Sequence, residues 1–549
     1  IYANWQEGNL TRYDRATGES TYIRPQPAAG EVEERFNWDA PILISPHNPE
    51  TLYFASFRVW RSDNRGDSWR TISGDLTRNQ DRTKQPLMGR LWSADSNWDL
   101  GAMSQYNTIT SLSESPIVEG LIYVGTDDGL VHISEDGGEN WRRIDSLPRV
   151  PDYYFVNDIK ADLHDANSVY VVVDNHKSGD FSPYVLKSNN RGRTWRSISA
   201  NLPERHVLWR LVQDHVKPEL LFVGTEFGVF FTIDGGGQWT KLSGGVPNIA
   251  FRDLAIQKRE NDLIGATFGR SFYILDDYTP LRQVSEEMLA SGSVLFPIRR
   301  THWYVPKRPH SCSKPGCVDS QGDAYFVSPN PPFGAVFTYY LSEKRNNLAE
   351  KRRRVEKDLI QKNEDVVFPD WDVLKQEALE DEPAIFFTVS DLNGNIIRHI
   401  EAPANAGFQR VAWDLRYPAT DPWITESERR NSYDDPAGVL VEPGTYKVAM
   451  YERIDGKLRD LNQNQTLDIV SIREPTLPGS SQQARIIFSQ RVDEVRRAVN
   501  DTLQAIDEVL HQLHAIKESL KNSTADMALY SQAQSLEKGI VAQRDRLSG

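Results

Sequence analysis

A mainly β fold that opens with a propeller of short antiparallel sheets is predicted by three observations. A turn pattern recurs four times, a β-rich run precedes each copy, and the copies are spaced near the length of a four-stranded unit. The turns are Ser62-Asp-Asn-Arg-Gly-Asp-Ser-Trp69, Ser134-Glu-Asp-Gly-Gly-Glu-Asn-Trp141, Ser188-Asn-Asn-Arg-Gly-Arg-Thr-Trp195 and Thr232-Ile-Asp-Gly-Gly-Gly-Gln-Trp239. The runs ahead of them are 51–56, 121–126, 168–173 and 220–225. The Trp-to-Trp steps are 141−69=72, 195−141=54 and 239−195=44. The longer steps locate insertions, chiefly at 77–105 and 174–183.

Each position of the pattern has a structural use. Ser62, Ser134, Ser188 and Thr232 open the turn, and Asn64, Asp136, Asn190 and Asp234 offer an oxygen to backbone amides. Gly66, Gly138, Gly192 and Gly236 allow a left-handed backbone. Trp69, Trp141, Trp195 and Trp239 bury a large ring against a neighbouring sheet. These sixteen residues are therefore expected to serve the fold, not chemistry.

Two further units lack the turn. Strands are expected in 1–8, 9–14 and 21–24, as the last three strands of a sheet whose first strand is missing, so the chain reads as a fragment of a longer protein. Another three are expected in 251–256, 262–267 and 271–275. That makes six recognisable blades, with the outer two incomplete.

The repeats resemble Asp-box (BNR) propellers, the group that includes sialidases, two-propeller xyloglucanases and sortilin-type (Vps10) domains. The resemblance covers residues 1–280. It is nearest to large secreted bacterial proteins described as sortilin-like or glycosyl-hydrolase-like, whose blade turns are similar to Gly125-Thr-Asp-Asp-Gly129, Gly224-Thr-Glu-Phe-Gly228 and Thr267-Phe-Gly-Arg-Ser271. It implies that function sits on the rim opposite the Asp boxes. Asp127, Asp128, Glu226, Phe227 and Arg270 are expected there as ligand contacts. The insertion adds Trp92 and Trp98, with Arg90, Asp95 and Asp99 beside them. Carboxylates beside aromatic rings suit a polysaccharide cleft, but Asp127-Asp128-Gly129 is also good turn chemistry. A sialidase reading lacks its three-arginine clamp. No catalytic residue is assigned, and no Ser-His-Asp set, phosphate loop or zinc spacing occurs among the 11 His. His47, His164 and His215 each follow a blade's first strand and are expected in turns.

The second half reads differently. Residues 284–330 form an irregular Pro-rich bridge holding Cys312 and Cys317, the two cysteines of the chain. Four residues with a Pro-Gly turn separate them, so a local disulfide is expected, with free thiols or metal ligation as alternatives. Alternating strands at turn-marked intervals predict a β-sandwich over 331–475. A charged segment at 343–380, with Lys351-Arg-Arg-Arg354, is expected to interrupt it as a solvated helix. The Asp391-Leu-Asn-Gly394 turn, the Val411-Ala-Trp-Asp414 strand and the Pro443-Gly-Thr-Tyr446 strand resemble FlgD-type Ig-like domains, which implies stacking or tethering. From 476 to 549 the apolar period becomes three to four residues, through Val492, Val495, Val499, Leu503, Ile506, Leu510, Leu513 and Leu520. That predicts an amphipathic helical hairpin able to pack on the sandwich or on another chain.

Bulk properties bound the function. The 549 residues are too many for one core, and 1–283 is set apart as the propeller. The net charge of −14 disfavours nucleic acid as a partner, and no apolar run reaches membrane-span length. The expected function is a secreted, cell-surface or periplasmic binding and assembly protein. Its ligand is a protein, peptide or glycan, self-assembly runs through the C-terminal helices, and no cofactor or metal is needed. The alternative is a glycoside hydrolase acting on a polysaccharide.

Overall fold

The computed structural model describes all residues except 88, 97–104, 307–327, 329, 420–437, 475, 477, 478 and 549. The chain divides into two compact units, Ile1–Val284 and Ser285–Gly549. Trp98, Asp99, Cys312 and Cys317 lie outside the described residues.

The first unit is a series of six antiparallel meanders. Blade 1 holds β1 (Tyr2–Trp5), β2 (Asn9–Tyr13) and β3 (Ser20–Tyr22). Blade 2 holds β4 (Ile42–Ile44), β5 (Leu52–Ala55), β6 (Val59–Ser62) and β7 (Arg70–Thr71). Blade 3 holds β8 (Ile109–Glu114), β9 (Ile122–Thr126), β10 (Val131–Ser134) and β11 (Arg142–Ile144). Blade 4 holds β12 (Phe155–Ala161), β13 (Val169–Asn175), β14 (Asp180–Ser188) and β15 (Arg196–Ser197). Blade 5 holds β16 (Leu208–Gln213), β17 (Leu221–Thr225), β18 (Gly228–Thr232) and β19 (Thr240–Lys241). Blade 6 holds β20 (Phe251–Gln257), β21 (Asp262–Thr267) and β22 (Phe272–Leu275).

Middle strands such as β9 and β17 are buried along their whole length. The sheets of blades 3 and 5 pack on neighbours through both faces, which is why these strands read as unbroken apolar runs. Tyr53, Ala55 and Val59 of blade 2 meet Ile109, Leu112, Ile122 and Val124 of blade 3. Tyr170, Val172 and Val185 of blade 4 meet Leu208, Leu211, Leu221, Val223 and Phe230 of blade 5. Residues of all six sheets or their leading segments line one cavity of about 760 Å³, among them Asn4, Asp39, Ser111, Asn157, Arg210 and Asp253. Arg210 sits there between Asp158 (3.0 Å) and Asp253 (2.8 Å). Successive meanders of three or four strands around a shared cavity make this unit a β-propeller.

The four repeated turns are clips between blades. In each, the Ser or Thr hydroxyl accepts from the glycine N–H: Gly66, Gly138 and Gly192 at 2.8 Å and Gly236 at 3.1 Å. The Asn or Asp oxygen accepts from the amide four residues on, at 2.8–3.0 Å. The indole N–H then crosses to the preceding blade. Trp69 donates to Ile23 O (2.8 Å), Trp141 to Ile72 O (3.0 Å) and Trp239 to Ile198 O (2.8 Å). The glycine is needed because the same isoleucine presses on it. A β-carbon at Gly138 (φ +100°) would lie 2.8 Å from Ile72 Cβ. Trp195 differs: its buried Nε1 has no partner among the described residues. There Arg142 reaches from blade 3 to the backbone carbonyls of Arg191 and Gly192. Glu135 of blade 3 pairs with Arg191 (2.8 Å) and Arg193 (3.0 Å) of blade 4.

On the same rim as the link between first and second strands, His47 Nε2 bonds Ser115 O (2.8 Å) and His164 Nε2 bonds Asp214 O (2.9 Å), each in the next blade. His215, one position earlier in its loop, lies beside Asp214 instead. Asp214 is fully buried and accepts from Arg282 at 2.7 and 2.8 Å and from Tyr278 at 2.6 Å, which fastens the segment after β22 onto blade 5.

In the second unit, the segment read as an irregular bridge is partly regular, which corrects that expectation. A short helix α1 (Glu286–Ala290) precedes β23 (Ser293–Leu295) and β24 (Thr301–Trp303). The rest comprises β25 (Ala335–Leu341), α2 (Leu348–Gln361), α3 (Trp371–Leu379), β26 (Ala384–Ser390), β27 (Ile396–Pro403), β28 (Gly407–Trp413), β29 (Gly444–Ile454) and β30 (Lys457–Ser471). One sheet runs β23-β25-β28 and the other β24-β30-β29-β26-β27. Phe337, Tyr339 and Trp413 of the first share a core with Ile385, Phe387, Val448 and Met450 of the second, a two-sheet sandwich. The bridge therefore donates a strand to each sheet. The charged insertion is two helices, not one, tied by Arg352 to Glu377 (2.7 Å). At the C-terminus α4 (Gln482–Lys521) is followed by α5 (Ala528–Ser548), joined by Lys517 to Glu537. Among the described residues no helix is long and apolar enough to cross a membrane.

Candidate ligand groove

One rim of the propeller carries the turns between second and third strands and the blade-to-blade connections. Two concavities open there. The larger, about 710 Å³, is lined by Phe181, Trp209, Glu226, Phe227, Arg252 and Phe268, together with His176, Glu204, Arg205, His206, Val207 and Ala250. Three blades build it. Phe181 stands on the long hairpin of blade 4, Phe227 and Phe268 on the tight turns of blades 5 and 6, and Trp209 and Arg252 near the starts of inner strands.

The groove has an aromatic wall and a stacked cation. The Arg252 guanidinium lies 3.6 Å from the Trp209 ring centroid. Burial lowers its pKa, while Asp39, Asp174 and Glu226 act the other way. The Trp209 indole donates to Glu226 Oε2 (3.1 Å), which holds the ring under the cation. His176 meets Trp209 edge-on at 6.0 Å, and His206 meets Phe227 edge-on at 5.2 Å. Phe181, Phe227 and Phe268 leave large ring surfaces in water.

The smaller concavity, about 260 Å³, is lined by Arg82, Leu87, Tyr106, Asp127, Tyr153 and Phe155, with Asp152, Asp174 and Lys177 also facing it. Here Arg82, Gln85, Pro86, Leu87 and Tyr106 of the insertion meet the rim of blades 3 and 4. Asp127 is buried and accepts from Thr108 N and Thr108 Oγ1, both at 2.8 Å. Burial, then the neighbouring Asp128, push its carboxyl up to about 7. Asp174 is engaged by Asn157 (2.7 Å) and by the His176 ring.

Of the expected contacts, Glu226 and Phe227 lie together in the larger groove and Asp127 in the smaller one. Asp128 lines neither: it is fully buried, accepts from Thr126 Oγ1 (2.6 Å) and Arg78 N (2.6 Å), and burial raises its pKa. Arg270 is exposed on the blade 6 turn, outside both. Trp92 is half-buried in the insertion, where its indole donates to Leu87 O (2.8 Å) and Arg90 covers its ring. The reading of the sequence missed Trp209, Arg252, Phe181 and Phe268. The available signal was an aromatic or basic residue at the entry to successive inner strands, at Leu208-Trp209-Arg210 and Phe251-Arg252-Asp253. Among the described residues no group of three or more His, Cys, Asp or Glu stands ready for a metal.

No family model and no curated protein matches the chain. Solved structures resemble it weakly. The GH74 xyloglucanase of Xanthomonas campestris is 13% identical over 88% of this chain and 79% of its own, with a TM-score of 0.35. PorZ, a surface component of the type-IX secretion system of Porphyromonas gingivalis, is 13% identical over 85% and 58%, at 0.37. An extracellular domain of a hybrid two-component system of B. thetaiotaomicron is 10% identical over 85% and 48%, at 0.33. The chain spans about half the length of several such neighbours. The propeller assignment rests on the chain's own sheets and clips.

Proposed function

We propose that this is a binding protein whose propeller rim grips a segment of a partner protein, acting outside the cell or in the periplasm. The clips are Asp boxes of the sortilin-like kind, and the sandwich is an Ig-like module that, with the helical hairpin, serves attachment or self-assembly. The observation that carries this reading is the groove itself. Its phenyl rings are exposed, and the stacked Arg252 cation makes no hydrogen bond to a described residue. The rim carboxylates Asp127 and Asp128 are instead spent on turns and inter-segment bonds. Apolar side chains beside a polar backbone suit such a surface.

The test is a peptide array probed with the whole chain, followed by titration of retained peptides against Phe227→Ala, Phe268→Ala and Arg252→Ala. Each variant is expected to weaken binding at least about tenfold, the usual scale for a buried anchor, with unchanged unfolding midpoints. Retention indifferent to all three removes the groove from the account. The hydrolase alternative keeps one observation in its favour: Asp127, poised near neutrality, faces a cavity that Asp174 also lines. Sugar released from a polysaccharide panel, and abolished by Asp127→Asn in a folded protein, overturns the binding reading.

A further inference from the structure

One short turn of blade 4, His176–Ser178, stands between the two rim concavities. His176 lines the larger groove, and Lys177 and Ser178 line the smaller cavity. A single bound segment that lies across the turn therefore reaches both. With its side chains such a turn is roughly 10 Å across, which an extended chain covers in about three residues at roughly 3.3 Å each.

The smaller cavity has room for one side chain. Its volume of about 260 Å³ exceeds the roughly 150 Å³ of a protein cavity that holds a benzene ring. Leu87 and Tyr106 wall it from the insertion, and Tyr153 and Phe155 from the entry to blade 4. Tyr153 is strained into position: its backbone is left-handed, at φ +60°, where a bulky residue is an outlier. Close packing holds the strain, since a β-carbon on Gly129 would lie 3.1 Å from Tyr153 Cα. Arg78 covers the Tyr153 ring at 5.2 Å. Two more cations lie over rings of the cavity itself, Arg82 over Tyr106 (5.4 Å) and Lys177 over Phe155 (5.1 Å). Asp127 and Asp174, both buried, give it an acidic lining.

We propose that this cavity anchors a tyrosine or tryptophan side chain of the partner segment, about three residues along from the part held in the larger groove. Size and apolar walls select a ring. Arg82 and Lys177 favour an electron-rich one, because cations are drawn to its face. The carboxyl oxygens of Asp127 and Asp174 accept from its O–H or N–H, since each carboxylate keeps lone pairs beyond the bonds it already makes. Phenylalanine lacks that donor, and leucine lacks the ring as well. The anchor depends on the binding reading of the larger groove and supplies its specificity.

The test uses the whole chain and a peptide array in which every position of each retained peptide is replaced in turn. Retained peptides are expected to carry a tyrosine or tryptophan whose change to alanine weakens binding at least about tenfold, and whose change to phenylalanine weakens it less. Two variants fill the cavity, Leu87→Trp from the insertion and Ser178→Trp from the turn. In either, the same change to alanine is expected to weaken binding less than about threefold, the loss of coupling that a double-mutant cycle reads. An aromatic effect that persists in both filled variants overturns the anchor, as do retained peptides that tolerate alanine at every aromatic position. The groove reading survives both results if Phe227→Ala and Phe268→Ala still weaken binding. An array that retains nothing overturns the anchor and the groove reading together.

Discussion

The indole clips give a sharp energetic comparison between two residues of the same type in the same turn. Trp141 and Trp195 are both half-buried, and each closes a repeated turn between adjacent blades. Trp141 Nε1 donates to Ile72 O (3.0 Å) and Gly138 O (3.1 Å); Trp195 Nε1 is buried without a partner among the described residues. Replacing either by Phe removes a similar volume of ring, so the packing loss nearly cancels between them. Trp141→Phe also deletes a hydrogen bond of about 1 kcal/mol and leaves the Ile72 carbonyl unpaired. Trp195→Phe deletes a buried N–H that already lacks its bond, which recovers part of the packing loss. Trp141→Phe is therefore expected to cost about 1–2 kcal/mol more than Trp195→Phe. The measurement is urea unfolding of both variants and the parent, followed by tyrosine fluorescence and circular dichroism, with slopes compared to confirm a common unfolded state. Equal losses, or a larger loss for Trp195→Phe, refute the view that the indole bond couples the blades.

Three other predictions follow from single sites. Arg282→Met leaves the buried Asp214 carboxylate without its cation and is expected to cost about 3–5 kcal/mol, read as a fall in the urea midpoint. Gly138→Ala forces a side chain into a left-handed backbone against Ile72 and is expected to cost about 1–3 kcal/mol by the same assay. Asp127, with its carboxyl pushed up to about 7, binds its proton more tightly folded than unfolded. Its contribution to stability is therefore full below about pH 4, the unfolded value, and is lost as pH rises through 7. Asp127→Asn is expected to gain on the parent by at least about 1 kcal/mol between pH 5 and pH 7.5, since each pKa unit is worth about 1.4 kcal/mol. A stability difference independent of pH counts against the buried carboxyl.

The parts of the fold legible in the sequence are those made within a few residues. A clip needs its Ser or Thr, Asn or Asp, Gly and Trp within eight positions, so four clips announce four blades. The groove is not legible in that way. Phe181, Trp209, Phe227, Arg252 and Phe268 come from three blades, and only the paired positions Trp209 with Arg252 and Phe227 with Phe268 recur between blades, a signal of two copies that a pattern of four outweighs. Glu226 and Phe227 were reachable because they sit on a tight turn with a recognisable neighbour, Gly228. The same turn logic placed Asp128 on the rim without showing that Arg78, fifty positions away, had already claimed it. In the second unit β23 and β24 are three residues each and lie among prolines, too short for any alternation to register. The strand β30 shows a mostly polar face, and only Leu467 and Ile469 along it are buried, so its period is faint.

The missing indole bond at Trp195 has a consequence for how the ring responds to its medium. Where neighbouring junctions are latched by a neutral N–H, the boundary between blades 3 and 4 is fastened by Glu135 with Arg191 and Arg193, and by Arg142 on the facing carbonyls. Neutral latches are insensitive to dissolved ions, whereas partly exposed charge pairs weaken as ionic strength rises. The propeller thus carries a seam that tightens in dilute surroundings and loosens in saline ones. The seam lies on the rim of the repeated turns and lines neither concavity, so the ionic strength of the compartment acts on the fastening of these two blades at the side away from the groove.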